Sequence, residues 1–150
     1  MSKLSRYIWK RLRSERGVAA LEFAIVCQLL LLLLYGMVMY GFVFLVDHSI
    51  TQAAAEGARY ALSEPSGTSD AQIASDAASY AQNHIPFSEA KTYGVASGSV
   101  DWCDSSHTVK CVTVTITYDN RAHPVIPGFI GMQYLTPGSI SASSTVELGS

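Results

Sequence analysis

The sequence predicts an α+β protein: a long N-terminal membrane-spanning helix, a second short helix, and a small antiparallel sheet of about three strands. Three observations carry this. Residues 24–46, AIVCQLLLLLLYGMVMYGFVFLV, hold no charge. An alanine-rich, proline-free continuation follows, and SEPSGTS (63–69) then breaks it with Pro65 and Gly67. Near the C-terminus CVTVTITY (111–118) alternates branched apolar residues with threonine, the period-two signature of a half-buried strand.

The 150 residues carry a net charge of −2, which hides an asymmetry. Lys3, Arg6, Lys10, Arg11, Arg13 and Arg16 precede Gly17 against one acid there, Glu15. Beyond Phe23 only Arg59, Lys91, Lys110 and Arg121 are basic, facing ten acids from Asp47 to Glu147. The chain is a basic tail, an apolar rod and an acidic body.

The rod's one strongly polar side chain is Gln28. A hydrocarbon core about 30 Å thick needs roughly 20 apolar residues in helical form, so 24–46 is long enough to span. The basic flank before it and Asp47 after it place the N-terminus in the cytoplasm and the C-terminus outside. Tyr35, Tyr40, Phe42 and Phe44 gather in the outward half, as an interfacial aromatic belt does. A cleaved secretory signal has a shorter apolar region and a small-residue cleavage site, and FLVDHSI offers no such site. A soluble core helix would need a polar face, which Leu29 to Leu34 deny it. The basic tail reads as a topology signal held near anionic headgroups rather than as a nucleic-acid site.

The helix is expected to continue from Val18 to Leu62, with Ile50, Ala54, Ala58 and Ala61 forming a thin apolar stripe. At about 1.5 Å per residue such a rod is roughly 67 Å long. A second helix fits 70–85: Ser69 followed by Gln72 makes a capping box, and Ile73, Ala77, Tyr80 and Ala81 share a face. Pro86 closes it. Strands are expected over 91–102, 111–118 and 139–148, the last with Ile140, Ala142, Val146 and Leu148 on one side. Between the last two lies the connection 120–138, with three prolines and three glycines. The sheet should pack on the upper part of the first helix and on the second.

Cys103 and Cys111 flank DSSHTVK on the outward side of the membrane, where two nearby cysteines are expected to be oxidised. A disulfide there would staple a hairpin and contribute roughly 2–3 kcal/mol by loop entropy. A metal site is the alternative, because His107 sits midway in a Cys-x3-His-x3-Cys pattern. No fourth ligand stands nearby. Cys27 lies in the membrane as a small apolar filler. His48, His84, His107 and His123 are scattered, and no nucleophile elbow, phosphate loop, H-E-x-x-H or dinucleotide fingerprint is present. The expectation is a protein that is not an enzyme and needs no cofactor.

Glu22 remains. A carboxylate at the mouth of a membrane segment is costly to bury and is a functional candidate by default. Its setting is specific: Gly17, four residues, Glu22 and Phe23, then an apolar helix. This resembles the processing site of type IV-like prepilins of the tight-adherence (Flp) branch. RGVAALEFAIV, the leucine run and AAAEGARYA are together similar to the TadE-like family of pilus pseudopilins, and VTVTITY and SISASSTVEL are similar to the C-terminal portions of such proteins.

The resemblance implies a pilin-like fold and cleavage after Gly17 by an aspartyl prepilin peptidase, with Val18 the new N-terminus. Residues 1–17 would be the discarded leader, 18–62 the membrane-spanning and extended helix, and 63–150 the periplasmic or extracellular α+β domain. Glu22, followed by Phe23, would pair with the α-amine of a neighbouring subunit during assembly. The implied partners are other pilins and pseudopilins, the inner-membrane assembly platform, the peptidase and membrane lipid. The implied place is the inner membrane, single-pass, and then an adhesive or secretory pilus. Relatives often carry proline where Gln28 stands, so a kink is not expected there. The other readings are an uncleaved bitopic envelope protein whose outer domain binds a partner, and an anchored periplasmic enzyme.

Overall fold

A computed structural model describes residues 3–65, 67–125 and 136–148, with side chains from Gly17 onward. Helix α1 runs from Lys3 to Tyr60. The first proline of the chain is Pro65, so nothing before it removes a helical N–H. The structure differs from the expected Val18–Leu62 at both ends. Residues 3–17 continue the helix because lysine, arginine and leucine are good helix formers. At the other end α1 tightens into a 3-10 turn, Ala61–Ser63, and Glu64 turns extended (φ −66°, ψ 141°). The residue before a proline is pushed out of the helical region, which fixes this stop.

The chain forms two compact units, Met1–Met39 and Tyr40–Ser150. The described part of the first is helix alone, with an apolar surface: Leu29 to Leu34 are each more than half exposed. The second contains the rest of α1 and an α+β domain.

Helix α2, Asp70–Asn83, begins at Ser69, whose hydroxyl accepts from the Gln72 N–H at 3.3 Å. Only half of the expected capping box forms, because the Gln72 side chain turns to Asp76 instead (3.3 Å). The helix ends two residues earlier than expected: the His84 N–H closes on the carbonyls of Tyr80 and Ala81, and Ile85 precedes Pro86.

A third helix, α3 at Ser88–Tyr93, corrects the expectation of a strand from residue 91. Thr92 Oγ1 donates to the Ser88 carbonyl (2.9 Å) and Lys91 Nζ to the Asn83 carbonyl (2.8 Å), while Ala90 is fully buried. Gly94 ends the turn, since a Cβ there would overlap the Ala90 carbonyl oxygen.

Strands β1 (Gly94–Trp102), β2 (Lys110–Asp119) and β3 (Ser139–Glu147) form one antiparallel sheet in the order β1-β2-β3. Both ladders run without a skipped residue, from Gly94↔Tyr118 to Trp102↔Lys110 and from Cys111↔Glu147 to Asp119↔Ser139. Residues 126–135, the middle of the expected irregular connection, lie outside the described residues.

The core follows from the patterns. Val112, Val114, Ile116 and Tyr118 are all fully buried, as strict alternation requires. Val46, Ile50, Ala53, Ala54 and Ala58 of α1 and Ala61 of the turn that follows join the same cluster. Each buried branched residue contributes about 1.5–3 kcal/mol relative to exposure. The α1 alanines contribute closeness instead: a Cβ at Gly57 would come within 2.6 Å of the Ala81 Cβ and 2.7 Å of the Ala77 carbonyl oxygen. Small residues on both sides let α1 and α2 meet at near-backbone distance. Ser49 is the cost in this wall, buried with no hydrogen-bond partner for its hydroxyl among the described residues.

Candidate processing and assembly segment

The structure places Gly17, Val18, Glu22 and Phe23 within the continuous helix α1. A Cβ built on Gly17 would meet no atom within 4 Å. Neither packing nor a left-handed backbone therefore requires glycine at this position. In a helix interior glycine costs about 0.8–1 kcal/mol relative to alanine, so Gly17 weakens the helix without a structural return.

Val18 and Glu22 are one helical turn apart, and side chains at i and i+4 share a face. The Glu22 side chain leans toward the N-terminus, over the turn that holds Val18. Val18 is 62% exposed, Phe23 is 72% exposed, and Glu22 is exposed beside them. No described side chain pairs with Glu22. The segment thus presents a carboxylate and an aromatic ring on an otherwise apolar helix. Among the described residues one helical stretch, Gly17–Ser63, is long and apolar enough to cross a membrane.

At the other end of the sequence Cys103 and Cys111 are bonded to each other, with Cα atoms 5.2 Å apart. Their sulfurs are therefore not thiolate ligands, and the described residues hold no cluster of three or more potential metal ligands. The His107 ring packs edge-on against Trp102 instead (5.4 Å, 72°), on a backbone with φ 54°.

The loop closed by this disulfide is organised by Asp104. Its carboxylate accepts hydrogen bonds from the hydroxyls of Ser106 and Thr108 and from the Thr108 N–H (3.2 Å). Those donors, the Ser106 hydroxyl first, hold the Asp104 carboxyl below its usual pKa. At the loop's base Lys110 Nζ lies 2.6 Å from Asp70 and 5.5 Å from the Trp102 ring centre. Sequence reasoning missed Asp104, although an aspartate two and four residues before hydroxyl side chains is a turn signal. It also missed Gln82, whose role appears only when α2 and β1 are brought together.

Residues 17–59 match the family model of TadE-like proteins. No curated protein and no solved structure matches the chain. The matched stretch begins at Gly17 and includes Val18, Glu22, Phe23 and the whole apolar run.

Proposed function

We propose that this chain, TadE-like over residues 17–59, is a membrane-anchored minor pseudopilin of a tight-adherence (Flp) pilus. It is cleaved after Gly17 by a prepilin peptidase. The observation that carries this reading is a coincidence of position. The family match starts at Gly17, a glycine that neither packing nor backbone conformation demands, five residues before the exposed Glu22.

Peptidase cleavage needs an extended peptide, and α1 is helical through residue 17. Glycine is the residue, apart from proline, that lowers the cost of opening a helix most. The basic leader stays on the cytoplasmic side with the peptidase, and the apolar rod remains with the product.

After cleavage Val18 carries a cationic α-amine at a helix N-terminus, where a carboxylate is favoured. Glu22 accepts an ion pair from the amine of an adjacent subunit. An unpaired carboxylate among apolar helices costs several kcal/mol, so the pair fixes the axial register of one helix against the next. Phe23 flanks it as an apolar contact. The outer α+β domain and its Cys103–Cys111 staple face the periplasm or the cell exterior, consistent with an oxidised pair. The partners are pilins and pseudopilins of the same system and its inner-membrane platform, with pilus assembly, adhesion or secretion as the outcome.

Glu22→Ala tests the assembly role. The variant should be cleaved and stable but should fail to support pilus formation, and wild-type piliation would overturn the register role. Glu22→Asp, which keeps the charge but shortens the reach, should assemble partially.

A further inference from the structure

The uncharged run 24–46 and the outer domain overlap. Val46 lies in the domain's core cluster and Val43 packs against it, although both belong to the run. The domain is therefore seated on the run's last turn. The 19 residues left before it, 24–42, cover about 28 Å as a helix, close to the roughly 30 Å of a bilayer's hydrocarbon. Residues 43–47 of α1 then stand at the level of the headgroups on the domain's side of the membrane.

A cleft opens there, between α1 and the start of β3. Val43, Phe44 and Pro137 give it apolar walls, and Asp47, Ser139 and Ser141 give it a polar rim. Asp47 is one helical turn above Val43, toward the water. Phe44 is 68% exposed, and all three polar side chains are exposed with it. The cleft measures about 320 Å³, at the low end for small-ligand sites. That is room for a headgroup and the first part of a chain, not for a whole lipid. Its apolar wall continues the lipid-facing surface of the run, so an occupant enters from the bilayer.

Charge decides which lipid. Among the described residues that line the cleft, Asp47 alone is charged, and no described side chain pairs with its carboxylate. Asp119 faces Ser139 across the ladder, but its carboxylate already accepts from the N–H groups of Arg121 (2.9 Å) and Ala122 (3.1 Å). The Arg121 guanidinium also stands against Gly138 and offsets the Asp119 charge. A free carboxylate beside headgroup phosphates is repelled unless a cation comes between them.

We propose that the cleft holds the headgroup of phosphatidylethanolamine. Its primary ammonium donates to Asp47, and its first acyl methylenes lie on Val43 and Phe44. An ammonium gives a carboxylate charge-assisted hydrogen bonds. A choline headgroup has no N–H to give, and an anionic glycerol headgroup brings a second negative charge to Asp47. The hydroxyls of Ser139 and Ser141 are donors for the phosphate that follows the ammonium. Such binding rests on the anchoring of α1 proposed above and is independent of cleavage at Gly17.

The test reconstitutes the full chain in vesicles of phosphatidylethanolamine, phosphatidylcholine and phosphatidylglycerol in equal parts. The chain is released into mild detergent, and its retained lipids are counted by native mass spectrometry. Phosphatidylethanolamine should exceed either competitor about tenfold, the factor a hydrogen bond to a charged group supplies. Asp47→Asn should abolish the preference, Asp47→Glu should keep most of it, and Asp101→Asn on β1 should leave it unchanged. Asp47→Lys should turn it to phosphatidylglycerol. Equal retention of the three lipids, a preference for phosphatidylglycerol in the unaltered chain, or a preference that survives Asp47→Asn would each overturn the assignment. If a variant loses its circular dichroism, retention by the unaltered chain decides alone. Alkaline extraction of the vesicles reads the anchor separately. A chain that is released overturns the anchoring and the cleft with it, whereas a chain that stays without a lipid preference overturns the cleft alone.

Discussion

Gln82 on α2 accepts a hydrogen bond from the Ala96 N–H on β1 at 3.0 Å, and so ties a helix to the backbone of an edge strand. The same side chain donates to the carbonyls of Lys91 (2.7 Å) and Gly94 (3.0 Å). One amide thereby joins α2, α3 and β1.

Gln82→Ala should therefore destabilise the outer domain by about 1–3 kcal/mol, since it leaves partly buried backbone groups without partners. Denaturant unfolding measures this. A loss no larger than at an exposed control such as Gln52→Ala would show that water replaces the amide at no cost.

Gly98 lies against the Ala74 carbonyl, and an added Cβ would overlap both its oxygen and its carbon. Gly98→Ala should cost about 1–3 kcal/mol as α2 is forced off β1. Gly36→Ala, with nothing within 4 Å, is the matched control and should leave stability unchanged or slightly raised. Equal thermal midpoints for the two variants would contradict this packing.

Ser49→Ala should be neutral or stabilising, by up to about 1 kcal/mol. It removes a buried hydroxyl that has no partner among the described residues and leaves the volume nearly unchanged. A clear drop in unfolding free energy would show that the hydroxyl is satisfied in solution.

Acid should weaken the outer domain through two carboxylates. Asp104 is held below its usual pKa by Ser106 and Thr108, and Asp119 by the N–H groups of Ala122 and Arg121. A carboxyl whose folded pKa is depressed contributes stability that is complete above its unfolded value, near 3.9, and lost as pH falls through the folded value. Stability should thus decline below about pH 4. Asp104→Asn and Asp119→Asn together should flatten that decline, as read by denaturation at pH 7 and pH 3. Both groups are exposed, so the effect is small.

The sequence shows the buried face of each element where side chains are large. Val112, Val114, Ile116 and Tyr118 alternate without exception, and their burial follows. The stop of α1 was legible within two residues because Pro65 enforces it chemically. Helix α3 was not legible. Six residues with one buried alanine carry too little periodicity, and the feature that ends the helix, Gly94 against Ala90, exists only after folding. The inner face of α2 is legible in part: of the expected Ile73, Ala77, Tyr80 and Ala81, Tyr80 stacks on Tyr60 and His84 outside the core cluster, and the buried Ala74 and Ala78 are missed. An alanine's single methyl carries too little apolar surface to mark a face by periodicity. The disulfide was readable from spacing and compartment, while the metal alternative needed geometry to set aside.

The N-terminal segment reverses this balance. The chemistry proposed for Gly17, Glu22 and Phe23 rests on residue identity and spacing along one helix rather than on tertiary contacts. The structure adds that no described packing demands glycine at position 17, as is also true of Gly36 and Gly41.

The most direct measurement is the N-terminal sequence of the protein purified from membranes of cells that express the whole pilus system. Cleavage after Gly17 predicts Val18 as the first residue, and Gly17→Ala predicts accumulation of the longer chain. A wild-type protein that begins at Met1 or Ser2 in those membranes would contradict the account.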